Sequence, residues 1–225
     1  TGGGGQFVIR TAFRVKRWLA CIAIVFACTG HAIAQVDTEL LLRAAEVNNI
    51  ERIEAALKRG ADPNTSDEHG NTLLAVAAAE GYLDLAKLLI ANRARVNNRN
   101  AYGDTPLMVA AYHGKPDMVQ LLIASGAEVN TEGWTPLHYC AWRGHVDVCS
   151  LLIDLRARIN VRSPNGTTPL MMAVREGRAN TVRLLLAHRA STDLKNDDGA
   201  TALSWALRDN RRDMVELLKA AGATQ

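Results

Sequence analysis

The sequence has little aromatic mass. Three phenylalanines, four tryptophans and four tyrosines make up 5% of 225 residues. A core with so few rings must be built from Ala, Leu, Val and Ile, which suits small helices packed closely together. Catalytic signatures are missing as well. The chain contains no G-x-x-x-x-G-K-[ST], no H-E-x-x-H, no C-x-x-C and no G-x-S-x-G. The opening TGGGG does not lie between a strand and a helix, so it is no phosphate loop. Asp193 to Gly199 has the look of a calcium loop, but Lys195 takes a ligand place and Ser204 stands where Glu is needed. It reads as a hairpin turn. No catalytic residue, cofactor or metal ligand is therefore expected, and the chain is read as a non-enzyme.

Charge is unevenly placed. The net charge is +3, but residues 1–34 hold Arg10, Arg14, Lys16 and Arg17 and no acid. Without them 22 basic residues face 23 acidic ones. The basicity belongs to a leader and gives no support to a nucleic-acid surface. Phe7, Phe13, Phe26, Cys21 and Cys28 lie in that leader too. Arg14 to Arg17 precede an apolar run from Trp18 to Cys28, and Ala32-Ile33-Ala34 follows. A basic segment, a short apolar run and an A-x-A site predict a secretory signal peptide over 1–34, cleaved before Gln35. The run falls short of the ~20 residues a helical span needs, so no membrane span is expected after cleavage. A second reading anchors the protein by lipid at Cys28, although Phe26 is unusual in such a motif. The natural start is expected at Val15, read as Met. The expected location is the bacterial periplasm. If the leader is an artefact, the protein is intracellular.

From Asp37 onward the chain is periodic. Thr72, Thr105, Thr135, Thr168 and Thr201 each follow a Gly-x pair and are spaced 33, 30, 33 and 33 residues apart. After each comes a helical unit such as TPLHYCAWRGH, then a second such as VCSLLIDLRARIN. Threonine caps the first helix and Pro106, Pro136 and Pro169 suit its first turn. Leu137, Cys140 and Ala141 fall at i, i+3 and i+4 and make one apolar face. Leu40 to Asn64 fits the same frame with a degenerate first helix.

These units resemble the ankyrin repeat family. The carrying residues are the TPL of Thr105-Pro106-Leu107, Thr135-Pro136-Leu137 and Thr168-Pro169-Leu170, the Leu-Leu pairs of the second helices, and endings such as Gly126-Ala127-Glu128-Val129-Asn130. The resemblance implies an all-α solenoid of six stacked helix-turn-helix repeats with projecting β-hairpin loops. Its domain would cover 35–225, with repeats near 37–66, 67–99, 100–130, 131–162, 163–195 and 196–225. No single helix pair can bury its apolar face alone, so neighbours stack into one core with polar end units.

The resemblance also implies a binding face. In such arrays the exposed, variable places are the hairpin tip, the residue between Gly and Thr, and the two residues before the inter-helix glycine. Carried onto this chain, they include Tyr102, Tyr112, His113, Trp134, Trp142, Arg143, Arg175 and Arg208. Exposed Trp, Tyr and Arg are enriched at interface hot spots. These eight residues are the expected partner-binding set, for a monomer that binds another protein and no nucleic acid. The alternatives are a small-molecule binder or enzyme using the Trp/Tyr groove, and a lipid-anchored envelope adaptor. His138 and His145 are expected to tie helices and loops together.

Three features depart from the family pattern. The loop from Ala127 to Gly133 is three residues shorter than its equivalents, such as Ala94 to Gly103. Arg93, Arg156 and Arg189 stand where the family usually has Gly, at a left-handed backbone position. Cys140 and Cys149 replace small apolar core residues. They pack as free thiols or, in an exporting compartment, as a disulfide.

Overall fold

The computed structural model describes residues 38–224. The signal peptide, the start at Val15 and the lipid route through Cys28 lie outside the described residues. The described residues form twelve helices, with α1 at 38–46. It is followed by α2 (Ile50–Lys58), α3 (Leu73–Glu80), α4 (Leu83–Ala91), α5 (Pro106–Tyr112) and α6 (Pro116–Ala124). The series continues with α7 (Pro136–Arg143), α8 (Val146–Asp154), α9 (Pro169–Arg175), α10 (Ala179–Ala187), α11 (Ala202–Arg208) and α12 (Arg212–Ala220).

Each odd helix from α3 begins at its threonine. Thr72, Thr105, Thr168 and Thr201 sit in extended backbone and accept the amide three residues on, at 3.2, 3.3, 3.3 and 3.1 Å. This satisfies one of the amides that a helix start leaves without a partner. The odd helices are apolar on almost every side, because they lie between two neighbours and a second helix layer. Pro169 to Val174 are all buried in α9. The leucines of the repeated TPL, TLL and TAL signals, Leu74, Leu107, Leu137, Leu170 and Leu203, are all 2% exposed or less. Each contributes about 1.5–3 kcal/mol by leaving water. The even helices are amphipathic. In α6, Met118, Val119 and Leu122 are buried while Asp117 and Gln120 face out.

The layers run side by side: α3, α5, α7, α9 and α11 stack in order, and α2, α4, α6, α8, α10 and α12 stack behind them. Asparagines at the repeat ends stitch the stack. The Oδ1 atoms of Asn64, Asn97, Asn130 and Asn160 accept from the amides of Arg95, Glu128, Arg158 and Ser191, each in the next repeat, at 2.7–2.9 Å. His145 adds a bond from Nε2 to the Tyr112 carbonyl at 3.0 Å, the structural role expected of it.

The loops between repeats are tight turns rather than ladders. One isolated antiparallel bridge, Ser66 to Thr72, occurs among the described residues. Four loops close with the same pair of backbone bonds, as in Asn100 N–H to Asp104 O at 3.0 Å and Gly103 N–H to Asn100 O at 3.0 Å. Asp193 to Gly199 ends in this turn, with Asn196 N–H on Ala200 O at 2.9 Å. The short third loop, between α6 and α7, closes differently, through Thr131 Oγ1–H to Trp134 O at 2.9 Å.

Arg93, Arg156 and Arg189 have φ of 68°, 69° and 63°, so each occupies the left-handed position inferred for it. Strain there costs of order 1 kcal/mol. At the equivalent Gly60 and Gly126, an added Cβ would meet nothing within 4 Å. A side chain is thus sterically admitted at this corner, and the arginine tail runs into solvent.

The two cysteines left open by sequence are joined: Cys140 in α7 and Cys149 in α8 form a disulfide across the helix pair, and both are fully buried. No helix among the described residues is long and apolar enough to cross a membrane.

Candidate functional site

A groove of about 660 Å³ opens on the face formed by the odd helices and the loops. Its floor is Ala75, Val76 and Ala79 of α3 with Met108 and Val109 of α5. The small alanines on α3 leave the concavity. Its sides carry Tyr102, Tyr112, Tyr139 and Trp142, and four carboxylates, Glu46, Asp67, Glu80 and Asp104. Asn71 and His113 complete the lining. The groove therefore spans from the end of α1 to the end of α7.

The rings form one connected cluster. Tyr112 meets Trp142 edge-on at 5.6 Å and Tyr139 at 6.2 Å, and Tyr139 lies 6.4 Å from Trp142. Such edge-to-face pairs add about 0.5–1.5 kcal/mol beyond area burial. Trp134 joins from the short loop, 6.4 Å from Tyr139 and edge-on to His138 at 5.2 Å. It is attached to the cluster without lining the groove. Trp134, Trp142 and Tyr112 are half-buried, and Tyr102 is 73% exposed.

The expected partner-binding residues thus divide in two. Tyr102, Tyr112, His113 and Trp142 line the groove, and the Arg143 guanidinium lies 4.8 Å from the Tyr112 ring centre. Arg175 and Arg208 instead flank Trp205, at 5.7 and 5.9 Å. They form a separate cation–aromatic cluster two repeats away, and its ring is only 8% exposed. Tyr139 escaped the sequence reading. It reads as semi-buried scaffold, yet its hydroxyl donates to the Asp104 carboxylate, and both line the groove. The available signal is spacing. Tyr139 precedes Trp142 by three residues, one helical turn, on α7.

The family model described as ankyrin repeats (3 copies) matches residues 21–100, 41–133, 87–163 and 155–225. The chain belongs to the ankyrin repeat family. Potassium channel AKT2/3 of Arabidopsis thaliana is 47% identical over 58 residues, which are 26% of this ankyrin repeat protein and 7% of the channel. The chain thus spans a small fraction of that relative's length. Two ankyrin repeat proteins of Rickettsia felis are also similar. One is 39% identical over 56 residues, 25% of this chain and 85% of its own. The other is 44% identical over 45 residues, 20% of this chain and 71% of its own. The family is typically non-catalytic.

Electrostatics separate scaffold from surface in this ankyrin repeat protein. His138 is fully buried. Its Nδ1 accepts the Thr135 amide at 3.2 Å, so the proton sits on Nε2, which donates to the Thr167 carbonyl at 3.0 Å. Burial pushes its pKa down to about 4, against weak opposition from the Thr167 bond. The ring is neutral and structural, as its place in the TPLH signal implies. Burial also pushes the Tyr139 phenol up, and the Asp104 carboxylate pushes it further. At His113 burial lowers the imidazole below its ordinary value, with Glu80 opposing and Lys115 and Arg143 reinforcing. Burial would raise Asp67, but bonds from the Asn71 side chain and the Asn71 and His69 amides win and hold it down. No group of three or more His, Cys, Asp or Glu able to hold a metal occurs among the described residues.

Proposed function

We propose that this ankyrin repeat protein is a monomeric, non-catalytic adaptor that holds a segment of another protein in its aromatic groove. Ankyrin repeats generally mediate protein–protein interaction. The observation that carries the reading is the placement of Tyr102, Tyr112, Tyr139 and Trp142 around one concavity. Large rings with a polar handle, held on a rigid frame, lose little entropy on binding. The asparagine stitches supply that rigidity. The test is the double variant Trp134→Ala and Trp142→Ala. It is expected to keep a cooperative thermal transition and to lose partner capture. A double variant that fails to fold would move both rings into the core and sink the reading.

The groove volume also falls in the range of small-molecule sites, about 300–1,000 Å³, which supports a second reading as a ligand binder. A thermal-shift screen separates the two. A small molecule whose stabilisation vanishes in Trp142→Ala favours the second. We further propose export to a bacterial periplasm. The leader composition supports it, and so does the Cys140–Cys149 disulfide, a bond that persists in oxidising compartments. Alkylation of the denatured protein without reductant, applied to periplasmic and cytoplasmic fractions, should find both cysteines unreactive in the periplasmic protein.

A further inference from the structure

We infer that the groove selects a cationic segment, one that presents an arginine or lysine side chain between the rings and the carboxylates. This rests on the groove being the binding site. Four carboxylates line it and no lysine or arginine does. None of the four makes an ion pair among the described residues, although seven such pairs form elsewhere. Asp67 is occupied by its own loop, accepting from Asn71 and His69 at 2.8–2.9 Å. Glu46 and Glu80 are exposed, and Asp104 is half-buried with one oxygen held by the Tyr139 hydroxyl. Among the described residues the groove thus keeps three carboxylates with no ion-pair partner, and one of them, Asp104, is held by the Tyr139 hydroxyl.

The rings reinforce that preference. An aromatic face attracts a cation, and most strongly when water is excluded. Arg143 already makes this contact with Tyr112 beside the groove, and Arg175 and Arg208 make it with Trp205 two repeats away. An acidic segment would meet Glu46, Glu80 and Asp104 with no lysine or arginine in the lining to offset the repulsion. A purely apolar one would strip water from them without return. A guanidinium or ammonium group answers both features at once.

Selection of random-sequence peptides on the full chain tests the inference. The selected peptides should be enriched in Arg and Lys and depleted in Asp and Glu. Replacing the Arg or Lys of a selected peptide by Gln should weaken binding to the unaltered chain by roughly tenfold or more, and so should raised salt. The paired variant Glu80→Gln and Asp104→Asn should remove most of that difference. Peptides that show no basic enrichment, but still depend on Trp142, would overturn the charge preference and leave the groove standing. Peptides that ignore Trp142→Ala and Tyr112→Ala would overturn both, as would a selection that yields no binder.

Discussion

His138 joins two repeats with one ring. Its Nδ1 holds the start of α7 and its Nε2–H holds the loop before α9. Protonation would put a second donor against the Thr135 amide, which is itself a donor. The consequence is a pH dependence of defined sign. The unfolded imidazole titrates near its ordinary 6.5 and the folded one near about 4. Between those values the unfolded chain takes up a proton that the folded chain refuses. This contribution to stability is complete above pH 6.5 and is lost as pH falls towards 4, by roughly 3 kcal/mol in all. Urea unfolding at pH 7.5, 5.5 and 4.5 should show it, and His138→Gln should flatten that part of the slope. A slope that survives His138→Gln unchanged would assign the effect to the carboxylates. At this scale the scaffold was legible from sequence. Thr135, Pro136, Leu137, His138 and Gly144 do what their pattern demands. Trp142 and Tyr112 were legible as exceptions to the pattern. Tyr139 was not, because its role depends on Asp104, 35 residues away in the preceding repeat.

Among the elements, the pair α7 and α8 stands apart. It alone carries a disulfide among the described residues, and the loop before it is the short one. The shortened interval could be counted from the threonines, but its effect on the row of loops could not. Neighbouring loops are tied where the length is standard. Ala101 N–H bonds His69 O at 2.8 Å, and Asp197 N–H bonds Asn165 O at 3.1 Å. The short loop lies between these two stitched pairs and holds Trp134 against His138. The disulfide was undecided in the sequence because helix pairing alone brings Cys140 and Cys149 to a Cα separation of 5.6 Å, close enough for thiols or a bond. It closes a loop across a sequence separation of 9. In the chain-entropy account such a loop contributes about 2.5 kcal/mol. Cys140→Ala with Cys149→Ala should therefore lower the unfolding free energy by that order, and the urea midpoint with it. Adding a reductant should lower the midpoint of the parent chain and leave that of the variant where it is. A variant that loses stability while the reduced parent does not would mean that the loss came from core packing.

Across the whole molecule, stability should grade from the middle outwards. Each helix pair gains its core from its neighbours, so an end pair has one interface where an interior pair has two. The burial pattern agrees. Interior helices of the outer layer bury three side chains each, as with Leu85, Ala86 and Leu89 in α4 or Val148, Cys149 and Leu152 in α8. The helices α2 and α12 bury two, Ile53 with Ala56 and Met214 with Leu218. One buried aliphatic side chain fewer lowers the cost of local opening by about 2 kcal/mol, which corresponds to roughly 30-fold faster exchange of the amides involved. Native-state hydrogen exchange should then find α12 the least protected helix of its layer. Protection should rise through α10 to a maximum at α8, where the disulfide adds to two full interfaces. The gradient places the aromatic groove, which reaches from α1 to α7, across a slope in stability. Its Trp142 wall stands on the pair expected to be most protected, and its Glu46 end stands on the first pair. A segment bound along the groove would join the two, so binding should slow exchange most in α1 and α2, far from the rings that supply most of the contact. Equal protection in all twelve helices would instead show that the stack opens only as a unit, and then no such redistribution could follow binding.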